Sequence, residues 1–374
     1  MNRRKNMKRN FVSLCLCFLA VYGMAGKIIK NPMDPVRSVV IGLEKVRTFS
    51  PDNPAKDIFL NTPMSAVEGL NGQIYVADGQ SGLIHQYDST GHYLRHFCGK
   101  GQGPDEVNFP GAFLADSDGQ VLVLDPFSAR IVIFSPKGTL GKNVRSGNKF
   151  EFANGLLQVS GGWVISVPRN DKKGQYKRDV VVHLGKAFNE IREICPLSEW
   201  KSVHAATVNF DNAYARFTAA RDRIYVSRGS RTDIVIQVLN LRGQKVRTIM
   251  RDYRSVRRSD DEIKRLNYFG KRLQEGCPEL NLAPASPYRV SVMGMFVDGK
   301  GRLWVKTARE AGDNESKWDY SIFDKSGTLI GRIPALKGKV TVRGNRLCQL
   351  YEDKKTDEFR VAVYKIVEEN GGEK

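Results

Sequence analysis

The sequence predicts an all-β chain folded as a six-bladed β-propeller. Three observations carry that expectation: short β-branched and aromatic runs broken by turn pairs, sixfold recurrence of the phrase, and a β-rich run ahead of the first repeat. The phrase is plainest from Gly72 to Pro110, GQIYVADGQSGLIHQYDSTGHYLRHFCGKGQGPDEVNFP. There Ile74, Val76, Ile84, Gln86 and Tyr87 fall in short runs separated by Asp-Gly, Ser-Gly and Thr-Gly. Such runs are the signature of consecutive antiparallel strands joined by tight turns.

The N-terminus reads as an export leader over residues 1–25. Arg3, Arg4, Lys5, Lys8 and Arg9 precede the apolar run Phe11 to Val21, and Gly23-Met24-Ala25 supplies the small residues a signal peptidase requires. Met7 is an alternative start, since MKRNF already makes an adequate basic segment. The apolar run is short for a bilayer span. Cys15 and Cys17 follow Leu14 and Leu16, where a lipoprotein signal carries Gly or Ala, so a lipid anchor is the second reading. Membrane contact is expected only with such an anchor. The expected location is the periplasm or the cell surface.

Of the formal charge of +19 on 374 residues, the leader holds five, which leaves +14 after its removal. That excess favours anionic partners, or serves solubility with no specific partner. Export sets nucleic acid aside and leaves phosphate, acidic glycan or a lipid surface. Cys98, Cys195, Cys277 and Cys348 survive cleavage, too widely spaced to show a framework. Mostly buried free thiols are expected, with a Cys195–Cys277 bridge as the alternative.

Val36 to Phe49, with Val39, Val40, Ile41, Leu43 and Val46, is the candidate strand for closing the ring. Completing the last blade in this way removes an open sheet edge. The repeats then run Met64–Gly99, Ala112–Val144, Phe152–Ile194, Tyr214–Ile249, Val292–Ile333 and Lys339–Val367. The second matches the first turn for turn: Asp118-Gly119 stands for Asn71-Gly72, Asp125 for Asp78, and Lys137-Gly138 for Thr90-Gly91. One helix is predicted near 259–276, capped by Ser259 and opened by Asp260, Asp261 and Glu262. Ile263, Leu266, Phe269 and Leu273 give it an apolar stripe, and Lys264, Arg265, Lys271 and Arg272 take much of the rest. It either packs on one face of the propeller or forms a basic lid over the central opening. The propeller is expected over 26–367, with a polar tail at 368–374.

These residues give the chain a likeness to a known family. GQIYVAD at Gly72 to Asp78, Ala129-Arg130-Ile131, GKGQGPDEVNFP at Gly99 to Pro110, GRLWVK at Gly301 to Lys306 and YSIFDKSG resemble NHL-type six-bladed β-propellers. The resemblance is to their secreted bacterial branch, whose members share no established activity. Relatives in that branch carry Gly-x-Gly-Gln-Gly-Pro-Gly-Glu-Phe in the loop; this chain keeps Gly99, Gly101, Gln102, Gly103, Pro104 and Glu106 and departs at Asp105 and Val107. The resemblance implies a fold and no activity.

The chemistry-bearing residues give little sign of catalysis. The Gly99–Pro104 loop has no helix after it, so it reads as an inter-blade turn rather than a phosphate cradle. No Gly-x-Ser-x-Gly elbow appears. His92 and His96 fall on one face of a predicted strand, two ligands where catalytic zinc takes three. Asn108, Asn154, Asn209, Asp211 and Asn212 lie at blade junctions and keep a calcium-assisted hydrolase or lactonase in the channel as the alternative function. The leading expectation is an exported, non-catalytic propeller that needs no cofactor. Its loop face would bind an anionic or carbohydrate-like ligand, or an envelope protein, through Phe109, Phe152, Asn154, Tyr214, Arg216, Tyr288 and Arg289.

Overall fold

Five of the six repeats form four antiparallel strands each, and the sixth forms three, in a computed structural model that describes residues 26–36, 39–52, 58–147, 149–170, 176–201, 216–276, 282–308 and 318–369. Two strands precede the repeats, β1 (Lys27–Asn31) and β2 (Val40–Phe49). The first blade is β3 (Pro63–Glu68), β4 (Ile74–Asp78), β5 (Leu83–Tyr87) and β6 (Tyr93–Cys98). The second is β7 (Ala112–Ala115), β8 (Val121–Asp125), β9 (Arg130–Phe134) and β10 (Leu140–Arg145). The third is β11 (Asn154–Val159), β12 (Gly162–Asn170), β13 (Tyr176–Gly185) and β14 (Glu190–Lys201). The fourth is β15 (Arg216–Ala220), β16 (Arg223–Ser227), β17 (Ile234–Asn240) and β18 (Lys245–Arg251). The fifth is β19 (Val292–Val297), β20 (Leu303–Ala308), β21 (Trp318–Phe323) and β22 (Leu329–Pro334). The sixth is β23 (Lys339–Arg343), β24 (Arg346–Asp353) and β25 (Glu358–Glu369), completed by β2.

The ring is closed. The inner strands β3, β7, β11, β15, β19 and β23 each touch the next, and β23 meets β3. As expected, the segment from Val36 to Phe49 makes the seal: β2 lies antiparallel to β25, with Val40 opposite Glu369 and Phe49 opposite Val361. The expected polar tail therefore begins later than residue 368, because Glu368 and Glu369 belong to the sealing pair.

One element was not foreseen. Strand β1 runs parallel to β18 as a fifth, outermost strand of the fourth blade. Buried Asn31 fixes it there: its Nδ2 donates to the carbonyls of Met250 and Gly327, and its Oδ1 accepts from the amide of Leu329. Val36 and Val39 then donate to the carbonyls of Leu329 and Ile330. The N-terminal segment is thus a strap across the outer edges of three consecutive blades.

The core lies between blades. Because both faces of a blade are covered by neighbours, β8 and β9 are buried at every residue rather than at alternate ones. Val121, Val123, Val132 and Phe134 pack on Tyr75, Ala77, Ile84 and Phe97 of the first blade. Leu122, Leu124, Ile131 and Ile133 pack on Trp163, Ile165, Val180 and Val182 of the third. Burying each such side chain is worth roughly 1.5–3 kcal/mol. The turns follow the sequence reading, with Gly72 and Gly119 at φ of 73° and 80°, a conformation open to glycine at little steric cost.

The predicted helix is α1 (Asp260–Gly276), and Ser259 Oγ accepts the amide of Glu262. It occurs in the connection from β18 to β19. Its apolar stripe is only partly covered, since Ile263 and Leu266 are half-buried and Phe269 is exposed. His92 sits in the turn before β6 instead of sharing a strand face with His96. Cys98, Cys195 and Cys348 are free thiols, while Cys277 and residues 1–25 lie outside the described residues. No described helix is long and apolar enough to cross a membrane.

Candidate functional site

Every inner strand starts at the same end of the ring, so the connections entering them form one loop face, and the β-turns closing each inner hairpin form the other. The recurring aspartates fasten the loop face. Asp78, at the end of β4, accepts amides from Asn61 at 2.8 Å and Gln80 at 2.8 Å. Asp125, at the same place on β8, accepts from Asn108 at 2.8 Å and Ser128 at 3.3 Å. Each carboxylate ties the loop entering an inner strand to the loop leaving the second strand, satisfying amides that no ladder reaches.

The Gly99–Pro104 loop is a cradle of the opposite sign to a phosphate site. Fully buried Arg130 donates from Nη2 to Gly101 O at 3.0 Å and from Nη1 to Gln102 O at 3.2 Å and Gly103 O at 2.8 Å. Its Nε lies 3.4 Å from the Asp125 carboxylate. Glu106 accepts the Gly103 amide at 2.8 Å, and a Cβ on Gly101 would sit 2.0 Å from Glu106 Oε2. The loop turns its carbonyls inward onto a guanidinium, which accounts for the glycines and places the motif in the scaffold.

Beside this clamp stands a row of aromatic rings. Phe109 and Phe127 meet edge to face at 5.6 Å between centroids, and Phe127 and Phe152 at 6.1 Å. Phe127 is 61% exposed and Phe152 59%, and Phe152 holds φ at 53°, where a residue with a Cβ is strained. Asn108 Nδ2 donates to Ser128 Oγ at 2.8 Å within the row. Exposed Asn154 follows, with its Oδ1 accepting the Gly155 amide at 2.8 Å. A Cβ on Gly79 would touch both Met64 and Phe109, which places Met64 at the row's first-blade end. Lys339 brings its ammonium 3.9 Å from the Met64 sulfur, and burial pulls the lysine pKa down.

Phe109, Phe152 and Asn154 therefore come together. Arg216 opens β15, the inner strand next to the one that Asn154 opens, and is half-buried, donating from Nε to Met293 O at 2.9 Å. Tyr288 is 44% exposed on the same connection as α1. Arg289 is 4% exposed, and its Nε and Nη2 grip the Glu262 carboxylate at 3.2 and 2.6 Å, which ties this connection to the helix. Tyr214 lies outside the described residues. Sequence reasoning missed Phe127, Met64 and Lys339. The signal for Phe127 was present: a phenylalanine stands in a turn (Pro126 to Ala129) whose counterpart in the first blade is Gly79 to Gly82.

The channel holds a cavity of about 680 Å³, and it lies toward the turn face rather than beneath the aromatic row. Phe113, Leu156, Ala219, Phe296 and Val340 line it, with Glu68, Asp116, Arg343 and Arg346 as its charged groups. The Glu68 carboxylate lies 3.5 Å from Arg47 Nη2 and 3.8 Å from Arg346 Nε. Burial raises the Glu68 pKa against the pull of Arg346, Arg47 and Arg343. Arg343 donates to Glu68 O at 3.3 Å and Asp116 O at 3.0 Å, stitching three blades together. Of the residues proposed for calcium, Asn209, Asp211 and Asn212 lie outside the described ones. Among the described residues no group of three or more His, Cys, Asp or Glu is placed to hold a metal ion.

No protein-family model matches the chain, and no curated protein matches it. Solved structures do. A candidate exported protein from Bacteroides fragilis superposes with a TM-score of 0.55 at 12% identity, covering 91% of this chain and 100% of that one. A DUF4221 family member from Bacteroides vulgatus gives 0.48 at 10% identity, covering 88% and 99%. A gluconolactonase from Xanthomonas campestris gives 0.46 at 13% identity, covering 92% and 98%. At 12% identity the likeness to the Bacteroides fragilis protein establishes the fold alone, a six-bladed propeller, in line with the resemblance read from the sequence.

Proposed function

We propose that this chain is an exported, non-catalytic binding propeller that takes an acidic, carbohydrate-like ligand across its loop face. The observation that carries the reading is the row Phe109–Phe127–Phe152, two of whose rings stand more than half in solvent. Exposing that much aromatic surface, with one ring on strained backbone, is an expense the scaffold does not need. Aromatic faces stack on the C–H faces of sugars, while the Asn108, Ser128 and Asn154 side chains stand beside them to meet hydroxyls.

Positive charge on the same face suits the acidic groups of such a ligand. Lys339 lies by the row, and on α1 the exposed Tyr268 is flanked one turn away on each side by Lys264, Arg265, Lys271 and Arg272. No metal or cofactor enters this reading.

The test is binding of uronic-acid oligosaccharides to the full chain at low and moderate salt, beside neutral oligosaccharides of equal length. Binding of the acidic ligand should survive moderate salt and should drop about tenfold in Phe127→Ala, the scale of one lost aromatic contact. Loss of all binding at moderate salt would reduce the charge to diffuse attraction. A chelator should change nothing; loss of binding with chelator would favour the metal-assisted alternative. Co-purification of a protein partner, with no glycan bound, would replace the reading with an envelope scaffold.

A further inference from the structure

The turn end of the channel carries an arrangement that neither the ring nor the loop face explains. The hairpin β23–β24 sets Arg343 directly opposite Arg346 across the Gly344-Asn345 turn. Like charges directly opposite on a ladder are destabilising. Arg47, brought in by the sealing strand β2, adds a third guanidinium to the same corner.

The carboxylates there do not neutralise it well. Glu68 stands 3.5 and 3.8 Å from its two arginines, longer than the 2.7–2.9 Å usual for a charge-assisted bond. Asp116 spends Oδ1 on the amides of Asp118 and Gln120 in its own turn. Arg346 Nη1 is shielded from solvent and has no hydrogen-bond partner among the described residues. Both arginines of the hairpin border the 680 Å³ cavity, whose remaining walls are largely apolar.

We propose that this cavity is a second binding site, opposite the loop face, for a small organic anion: one oxyanion head on Arg346 and an apolar body within the channel. Arg343, whose two terminal nitrogens already donate to backbone carbonyls, supplies charge and rigidity there. Arg346 supplies the contact. Glu68 competes with the ligand head for Arg346, so the site is weakened by the carboxylate that the empty pocket needs. Carboxylate and phosphate heads share this chemistry.

The experiment is calorimetric titration of the full chain with hexanoate and with hexyl phosphate, and with hexanol as the uncharged control. At least one of the two anions should bind at moderate salt, the tighter one naming the head, and hexanol should bind more weakly. Arg346→Ala should cost about tenfold or more in affinity, the scale of a lost charge-assisted contact. Glu68→Gln, which removes the competitor while keeping the shape, should tighten binding several-fold. Phe127→Ala should leave it unchanged, which separates this site from the loop face. Failure of both anions to bind, or equal affinity in wild type and Arg346→Ala, would overturn the proposal. Should Arg346→Ala fail to fold, the Glu68→Gln titration decides: affinity that does not rise overturns it as well.

Discussion

The two ends of the ring are made from the same hairpins and differ in what those hairpins leave uncovered. On the turn face, polar side chains recur because backbone amides need them: Asp88 Oδ1 accepts from Thr90, Gly91 and His92, and Asp324 Oδ1 from Ser326 and Thr328. On the loop face, the recurring Asp78 and Asp125 hold the loops, while the aromatic rings beside them do not recur between the first two blades, where Gly79 to Gly82 stands for Pro126 to Ala129. Among the described residues the aromatic row belongs to the second blade and the loop entering the third. Repetition therefore marks the scaffold, and departures from it mark candidate function. The turn face has one such departure of its own, the arginine hairpin at Arg343 and Arg346.

The comparison presumes a closed ring, so its largest test removes the closure. A chain beginning at Ser50 lacks β1 and β2 and exposes the whole edge of β25. It should lose cooperative unfolding in circular dichroism and elute as aggregate, because an unpaired long edge recruits other chains. A chain beginning at Pro35 lacks only the β1 latch and should stay monomeric with a lowered Tm. If the two truncations behaved alike, the seal and the latch would not be separate devices.

The scaffold side of the comparison is tested at Arg130. Substitution by Ala leaves buried Asp125 without its cationic partner and three loop carbonyls without their guanidinium donor, at a cost of about 3–5 kcal/mol in urea unfolding. Arg130→Lys should recover little of this, since an ammonium cannot reach three carbonyls and a carboxylate in the fork geometry. A phosphate-binding loop would behave otherwise, with stability intact and anion affinity lost.

The sequence made the ring legible and left the sites partly hidden, for a physical reason. Asx-Gly turns and period-two runs are local, so six blades, the closing strand and the Ser259-capped helix are all readable from neighbouring residues. The β1 latch was not, because KIIKN is too short to declare itself and is specified by Asn31 meeting backbone of two distant blades. Arg289 looked like a surface donor until Glu262, 27 residues earlier, turned out to own its guanidinium. Phe127 stands in the short turn between β8 and β9, and nothing within its own blade singles it out. Its counterpart in the first blade being glycine-bounded is what makes the phenylalanine informative.

A pH test sharpens the contrast between core and face. His85 is buried in the first blade with both ring nitrogens lacking a hydrogen-bond partner among the described residues. Burial, then His96, hold its pKa down to about 4 from 6.5, against a weaker pull from Asp78. Above 6.5 the imidazole is neutral folded and unfolded and has no effect; between 6.5 and about 4 the unfolded chain takes up a proton that the folded chain refuses. Stability should therefore fall as pH falls through that window, by about 3 kcal/mol at most. His183, also lowered by burial, acts in the same direction. His85→Leu should flatten most of the slope in urea unfolding at several pH values, with no loss at neutral pH. An unchanged slope would mean that the imidazole finds a partner when protonated.

The smallest expected effect separates function from scaffold most cleanly. Phe152 holds a backbone angle of 53° that glycine adopts without strain, and its ring is mostly in solvent. In Phe152→Gly, relief of that strain opposes the greater entropy of the unfolded glycine chain, and little packing is lost. Stability should stay level or rise by up to about 1 kcal/mol. Acidic-glycan binding should nevertheless weaken, because the terminal ring of the row is gone. Were the ring a packing element, stability would drop by several kcal/mol as for a core phenylalanine, and affinity would follow stability. A variant that is at least as stable and binds less well is the outcome that only a ligand-facing ring produces.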